Sequence, residues 1–556
     1  MKKKQLSKAL SLLLAGTMIL GLAACGAKEQ PESSEEPSKV QESEANTQES
    51  TETEPEVFEV TYPIDTDVTF KFVTTDGGYK SSEIDSFDDS PYHQNLEKLT
   101  GIDVEWEFVS GGSKSISLLL AYEDEAPDVF NTAWFNGTTL VSDWVDEGLL
   151  TDLTDYLPIY APDFWERINS PEYETTKRMI TDDEGRFYYI PFLSENHYIS
   201  TYQGPIIRQD WLDECGLDVP VTIDEFENVL ITFKEKYGAT LGGNMGAFNN
   251  AGVASGTGAM SSMKAALYID DNGKVQCANV QPEWKELMTY INKWYEMELI
   301  DVDFFNTNGT MQRQKALDGD IGVIFVAQSQ MSNILNDAAE AGNGAEWVPM
   351  EYLRTAAGEP TSFIQTQNSL YANDSATFIS STCPEELIPV ILQWVNYGYT
   401  EEGMTFINYG VEGETYTKDA SGNIQWTEVI TEDPVGVSAA MLKYCGAMAG
   451  LPGVKAEGMV RLRNVELAAK AVDLWIANTE VHDHIMPTMV LNWEESIIYT
   501  DKWSTISTYI GECATKFFTG ELSLDEWDNY VKELENMGLQ DVLDVQQSAY
   551  DRFISK

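Results

Sequence analysis

Apolar and polar positions begin to alternate at residue 68, where Val68-Thr-Phe-Lys-Phe-Val73 reads as a β-strand ending in the turn Thr74-Thr-Asp-Gly-Gly78. From Pro91 to Leu99 the spacing changes to helical, with Leu96 and Leu99 on one face and Gly101 as the stop. Ile102-Asp-Val-Glu-Trp-Glu-Phe108 alternates again, Ile116 to Tyr122 reads as a short helix, and Pro127-Asp-Val-Phe130 as a third strand. Strand and helix in strict succession predict a parallel α/β sheet. Ligands of such open sheets bind beyond the carboxyl ends of the strands. Two loops therefore stand out, Thr75-Asp76-Gly77-Gly78 and Asn131-Thr-Ala-Trp134-Phe135.

Farther along, Asp183 to Ile190 reads as a hairpin running into Pro191-Phe192. Thr222 caps a helix over 224–237, with Glu225 three residues on completing a capping box. Asp270-Asp-Asn-Gly-Lys274 has the composition of a tight hairpin turn. Glu283 to Met297 is an amphipathic helix, and Asp318-Gly-Asp320 turns into the apolar strand Val323–Val326. Pro384 to Tyr397 predicts a helix, another begins at Glu401, and helical spacing dominates to the end.

The longest apolar run lies at the start. Lys2, Lys3, Lys4 and Lys8 precede Ala9–Ala24, which is short of the roughly 20 residues a spanning helix needs. A positive start, an apolar middle and small closing residues mark residues 1–24 as a secretory signal peptide. Leu22-Ala23-Ala24-Cys25 resembles the lipobox of bacterial lipoproteins, which implies cleavage before Cys25 and lipidation of its thiol. Two acyl chains of the palmitate kind hold a protein stably where a single chain does not. The expected location is the extracellular face of the cell membrane. Residues 25–57 then form a linker: after the cysteine come ten acids and two lysines, with Val40 and Val57 the only larger aliphatics. Such a segment cannot bury enough apolar surface to fold and should extend as a disordered stalk.

Residues 58–556 make up the folded part, too long for one ordinary core, so two lobes or more are expected. The chain carries a net charge of −56; the +4 of the signal and the −8 of the stalk leave −52 on this part. That excess excludes nucleic acid as a partner and disfavours anionic ligands unless a local basic pocket intervenes. Beyond Cys25 the cysteines at 215, 277, 383, 445 and 513 are odd in number and scattered, with no metal or redox spacing, so buried free thiols are expected and their disulfide state stays open. His482-Asp483-His484 lacks a third placed ligand, and no metal site or cofactor is expected. No G-x-S-x-G elbow, H-E-x-x-H or phosphate-binding loop is present, and no catalytic residue is assigned.

Several stretches, in order, carry a family resemblance. They are Ala126-Pro-Asp-Val-Phe130, Glu147-Gly-Leu-Leu-Thr-Asp-Leu153, Ile190-Pro-Phe192, Arg208-Gln-Asp-Trp-Leu212 with Val219 to Phe226, and Leu317-Asp-Gly-Asp-Ile-Gly322. Tyr397 to Glu402, Tyr409-Gly-Val-Glu-Gly413 and Phe518-Thr-Gly-Glu-Leu522 with Trp527 follow. The chain resembles the extracellular solute-binding lipoproteins of bacterial ABC importers, in the branch of large alginate- and oligosaccharide-binding members. The resemblance implies a monomeric, two-lobed α/β fold of the periplasmic-binding-protein kind, with a hinge, an interlobe cleft and a permease partner. Crossings near 190–204, 355–370 and 405–415 would make lobe one 58–195 plus 365–410, and lobe two 200–360 plus 415–556.

A sugar or oligosaccharide ligand would need aromatic platforms and hydroxyl-binding polar groups. Trp134 and Asp76 at the lip of lobe one, Gln328 and Gln330 at that of lobe two, and Glu412 are the candidate contacts, while Trp211 is assigned to the core. Three alternatives remain open at this level: a surface glycoside hydrolase using a carboxylate pair, a binder of peptide or another small solute, and a sensor or adhesin.

Overall fold

The computed structural model describes residues 60–556 apart from 76–85, 110–112, 123–125, 133–137, 200, 202, 244–252, 360–369, 435, 449, 477–483 and 490. The signal peptide, Cys25 and the whole of the linker therefore lie outside the described residues, as do Asp76 and Trp134.

The first three strands form as the alternation predicts. β1 (Thr69–Thr75) pairs in parallel with β2 (Asp103–Val109) on one side and with β3 (Val129–Thr132) on the other. The helix Pro91–Thr100 links β1 to β2 and closes on Gly101, whose φ of 77° places it in the left-handed region that favours glycine. A side chain at Gly101 would also strike the backbone of Ile64. β4 (Tyr189–Ser194) lies in the same sheet, whereas β5 (Gln203–Arg208) and β6 (Thr240–Gly242) build another. β7 (Leu267–Ile269) and β8 (Val275–Cys277) flank the Asp270–Lys274 turn as an antiparallel hairpin. β9 (Ile321–Ala327) is buried along almost its whole length, as a strand covered on both faces should be. β10 (Trp347–Pro349), β11 (Tyr371–Ile379), the hairpin of β12 (Tyr416–Lys418) with β13 (Ile424–Trp426), and β14 (Val454–Lys455) complete the set.

These strands make two main sheets. The lobe-one sheet runs β14-β4-β11-β3-β1-β2, with β11 antiparallel to both β3 and β4 and β14 parallel to β4. The lobe-two sheet runs β10-β5-β9-β6. Lobe two owes much of its core to Trp284, Leu287, Ile291 and Trp294 on the helix Pro282–Glu296. They share one apolar cluster with Ile510, Phe517 and Phe518 of the long helix Trp493–Thr519. That helix starts at a capping box, in which Asn492 and Glu495 each accept from the other's backbone N–H, at 3.0 Å both ways. The box expected at Thr222 and Glu225 is present too, on the helix Ile223–Tyr237.

The chain changes sheets between β4 and β5 and again between β10 and β11. The third crossing differs from the one expected at 405–415. After the helix Glu401–Tyr409 the chain stays with lobe one through the β12–β13 hairpin and the helix Val437–Tyr444, and rejoins the first sheet as β14. It leaves only afterwards, through the helices Glu457–Arg463 and Glu466–Ile476. The physical reason is local. Gly410 and Gly413 adopt φ of 77° and 84°, and the Thr415 hydroxyl donates to the Tyr409 carbonyl at 2.6 Å. Tyr409-Gly-Val-Glu-Gly413 is thus a reversing turn, and residues 415–455 belong with lobe one. Among the described residues no helix is long and apolar enough to cross a membrane.

Candidate functional site

All three crossings use one edge of the lobe-one sheet: the carboxyl ends of β4 and β14 and the start of β11. On the other side Gln203, which opens β5, sits opposite Ala327, which closes β9. The seam between the lobes therefore runs between strand ends, where a sheet of this kind offers backbone and side-chain groups to a ligand.

Residues 195–199 anchor that seam. The Tyr198 hydroxyl donates to the Ala469 carbonyl at 2.7 Å and accepts from Gln328 Nε2 at 2.9 Å. Burial pushes its phenol up to about 12, so it stays protonated and can serve both bonds at once. The Arg461 guanidinium lies 3.9 Å over the Tyr198 ring and is itself held by Glu457 and Asp473. Asn196 Nδ2 donates to Glu457 at 2.5 Å, and the Glu457 N–H donates to Glu195 at 2.7 Å, so the first and third crossings are stitched together. Gly204, at the start of β5, lies flat against the Trp475 indole, which leaves no space for a side chain.

Several polar groups here are buried without a hydrogen-bond partner among the described residues: Thr132 Oγ1, Ser194 Oγ, Thr201 Oγ1, Trp475 Nε1 and Arg463 Nε. Thr132 and Ser194 close β3 and β4, Thr201 belongs to the first crossing, and Arg463 ends the helix of the third. A buried unpaired donor or acceptor costs about 1–3 kcal/mol. Other such groups lie away from the seam, at Trp106, Ser262 and Gln312 for example, whereas those at the seam stand where a polar ligand would pair them.

The sequence-derived candidates scatter. Asp76 and Trp134 lie outside the described residues, two positions or fewer beyond the ends of β1 and β3. Gln328 is at the seam, but it is 2% exposed and spent on Tyr198 and the Ala468 carbonyl. Gln330 is exposed, and its Oε1 accepts the Ala327 N–H at 3.0 Å as part of a helix start. Glu412 is exposed in the turn before β12, 3.5 Å from Lys418 Nζ, and is not brought together with the seam residues. Trp211 packs between Arg208, at 4.1 Å, and Tyr237, stacked at 4.2 Å. His482 and Asp483 lie outside the described residues, while His484 Nδ1 is 2.6 Å from the Ile269 carbonyl oxygen. Sequence reading missed Thr132, Ser194, Thr201 and Lys455, because single hydroxyls and one lysine in a short strand form no pattern.

A concavity of about 820 Å³ also opens on lobe one, between the helices Pro162–Ile168 and Glu401–Tyr409. Asp163, Glu166, Glu172, Glu195 and Glu401 line it with Arg167, and Glu195 belongs to the seam as well.

Residues 80–405 match the family described as bacterial extracellular solute-binding protein. The chain belongs to that family. Along its whole length this solute-binding protein is 24% identical to the fructooligosaccharide ABC transporter substrate-binding protein FusA of Streptococcus pneumoniae, covering 99% of that chain. It is 24% identical to the lipoprotein LipO of Bacillus subtilis over 60% of its own chain and 66% of the relative. Its fold matches a human-milk-oligosaccharide-binding solute-binding protein of Bifidobacterium longum infantis, with a TM-score of 0.68, 21% identity and coverage of 87% and 99% of the two chains. The alginate-binding protein AlgQ2 gives a TM-score of 0.64 at 19% identity, over 89% of this chain and 100% of that one. The two-lobed α/β architecture is thus that of the solute-binding proteins.

Proposed function

We propose that this solute-binding protein captures an oligosaccharide at the seam between its lobes and delivers it to the permease of an ABC importer, while a lipid on Cys25 tethers it to the outer face of the membrane. The observation that carries the reading is the set of buried, partnerless groups at the seam: hydroxyls at two strand ends and on the first crossing, and an indole and a guanidinium on the helices of the third. Sugar hydroxyls donate and accept together, and they match such a set better than an apolar solute could. The full-length relation to a fructooligosaccharide-binding protein supports the ligand class and the transport partner. Lobe closure around the ligand is the motion the two-lobed build allows, and Trp134, just beyond β3, is the proposed stacking platform. Binding needs no bond-making step, so the protein acts as a receptor and not as an enzyme. Tethering through the stalk would keep it at high effective concentration near its permease, so a modest docking affinity suffices.

A thermal-shift panel tests this. A cognate oligosaccharide at about 100 times its Kd should add about 2.7 kcal/mol of stability. Silence across neutral and acidic oligosaccharides, with a shift from peptides, would overturn the reading.

A further inference from the structure

Lys455 closes β14 at the carboxyl edge of the lobe-one sheet, in register with Ser194 of β4. Neighbouring parallel strands put register partners on the same face, so the Lys455 side chain and the unpaired Ser194 hydroxyl share one side of the sheet, opposite Val454 and Leu193. Lys455 is 9% exposed and makes no side-chain hydrogen bond or ion pair among the described residues. Burial, and after it the nearby Arg463 guanidinium, push its ammonium down to about 7. Arg463 is in the same position. Among the described residues its Nε is buried without a partner, and Nη1 reaches only the Met448 thioether at 3.6 Å.

Two neighbouring cations, neither paired with a carboxylate among the described residues, are out of place in this chain. It has 91 acidic residues against 35 basic ones, and Arg461, two positions before Arg463, holds two carboxylates. Buried charges are ordinarily paired. An unpaired pair beside the free Ser194 hydroxyl, at the edge where the chain passes between lobes, is a local concentration of positive charge within an acidic protein.

We infer that Lys455 and Arg463, with Ser194, form a subsite for an anionic group on the bound oligosaccharide, a sugar carboxylate or sulfate ester. This deepens the oligosaccharide reading above and rests on it. The anion would take charge-assisted hydrogen bonds from the ammonium and guanidinium, and the negative surface elsewhere would turn away ligands that cannot reach this point.

Titration calorimetry on the full chain in detergent tests it with three probe sets. These are trisaccharides of galacturonate, mannuronate and glucuronate, the same trisaccharides as neutral methyl esters, and sulfated disaccharides of galactose. The expected result is binding of at least one acidic probe, weaker by roughly 10- to 100-fold for its ester and after Lys455→Met or Arg463→Gln. Binding from the sulfated set alone assigns the same subsite to a sulfate ester. Lys455→Met removes an unpaired buried charge, so it should also raise the melting temperature of the empty protein, which separates lost recognition from lost folding. A neutral oligosaccharide that binds equally well to wild type and both variants, within about twofold, overturns this inference and leaves the oligosaccharide reading standing. No binding from any of these probes or from neutral oligosaccharides overturns both.

Discussion

Gln328 donates from Nε2 to the Tyr198 hydroxyl at 2.9 Å, joining the first turn of a lobe-two helix to the segment that carries the chain between the lobes. The same Nε2 lies 3.2 Å from the Ala468 carbonyl, so the side chain is a buried brace. Gln328→Ala should therefore destabilise the protein by about 1–3 kcal/mol in urea unfolding, because the carbonyl loses its donor in a place water does not reach. Gln330→Ala removes only an exposed helix-start contact and should cost less than about 1 kcal/mol. Equal effects would show that Gln328 is not the brace its geometry describes.

The difference between these two glutamines marks how far sequence reading goes. Val68 to Phe130 alternates and spaces its apolar residues so regularly that three strands of a parallel sheet are legible in the sequence, though their order, with β1 in the middle, is not. Capping at Thr222 and the hairpin at Asp270–Lys274 were legible as well, since both depend on short-range chemistry. The third crossing was not. Tyr409 to Gly413 carries the glycines of a hinge and of a reversing turn alike, and only pairing of β14 with β4, some 45 residues later, distinguishes them. Unpaired groups such as Ser194 Oγ and Arg463 Nε cannot be read from sequence at all, because being unpaired is a property of what surrounds them.

Arg552 gives a second prediction. Its Nη1 and Nη2 each bond Glu495 at 2.6 Å, and its Nε reaches Asp183 of lobe one at 3.2 Å, where Lys556 also lies 3.4 Å away. Burial resists the charge on Glu495, yet Arg552 and the Asn492 N–H outweigh it and hold the carboxyl below its ordinary range. A carboxylate depressed in the folded state contributes stability above its unfolded value, about 4.3, and loses it as pH falls through the folded one. Arg552→Met strands this half-enclosed carboxylate and should cost roughly 1–3 kcal/mol at neutral pH, less than breaking a fully buried pair. Urea midpoints of wild type and Glu495→Gln should draw together near pH 3. Asp183→Asn, at the exposed end of the same network, should stay within about 1 kcal/mol.

Cys25 supplies a third. If the thiol carries the lipid, Cys25→Ala should move the protein from the membrane fraction to the soluble one without altering oligosaccharide affinity, since residues 26–57 separate the anchor from the folded lobes. Retention of the variant on membranes would remove the tether from the mechanism. Impaired uptake by cells, with binding intact, would show that proximity to the permease matters as well as capture.

Lys455 makes the last prediction, one that concerns pH. Its folded pKa of about 7 stands well below the ordinary lysine value of about 10.4. Below pH 7 both states keep the proton, and the folded protein bears the full cost of a buried ammonium. Between about 7 and 10.4 the unfolded chain holds a proton that the folded one has released, so this group makes stability rise with pH across that window. Many tyrosines and cysteines here are also shifted by burial, so the absolute curve mixes several groups. The comparison with Lys455→Met cancels them. The variant should melt higher than wild type at pH 6, and the gap should narrow steadily toward pH 9 in the empty protein. Added ligand bearing an anion should restore the advantage of wild type at pH 6, because a neighbouring negative charge favours the ammonium. A gap that is constant with pH would mean that Lys455 keeps its proton throughout and that the cost of burying it is met by a partner.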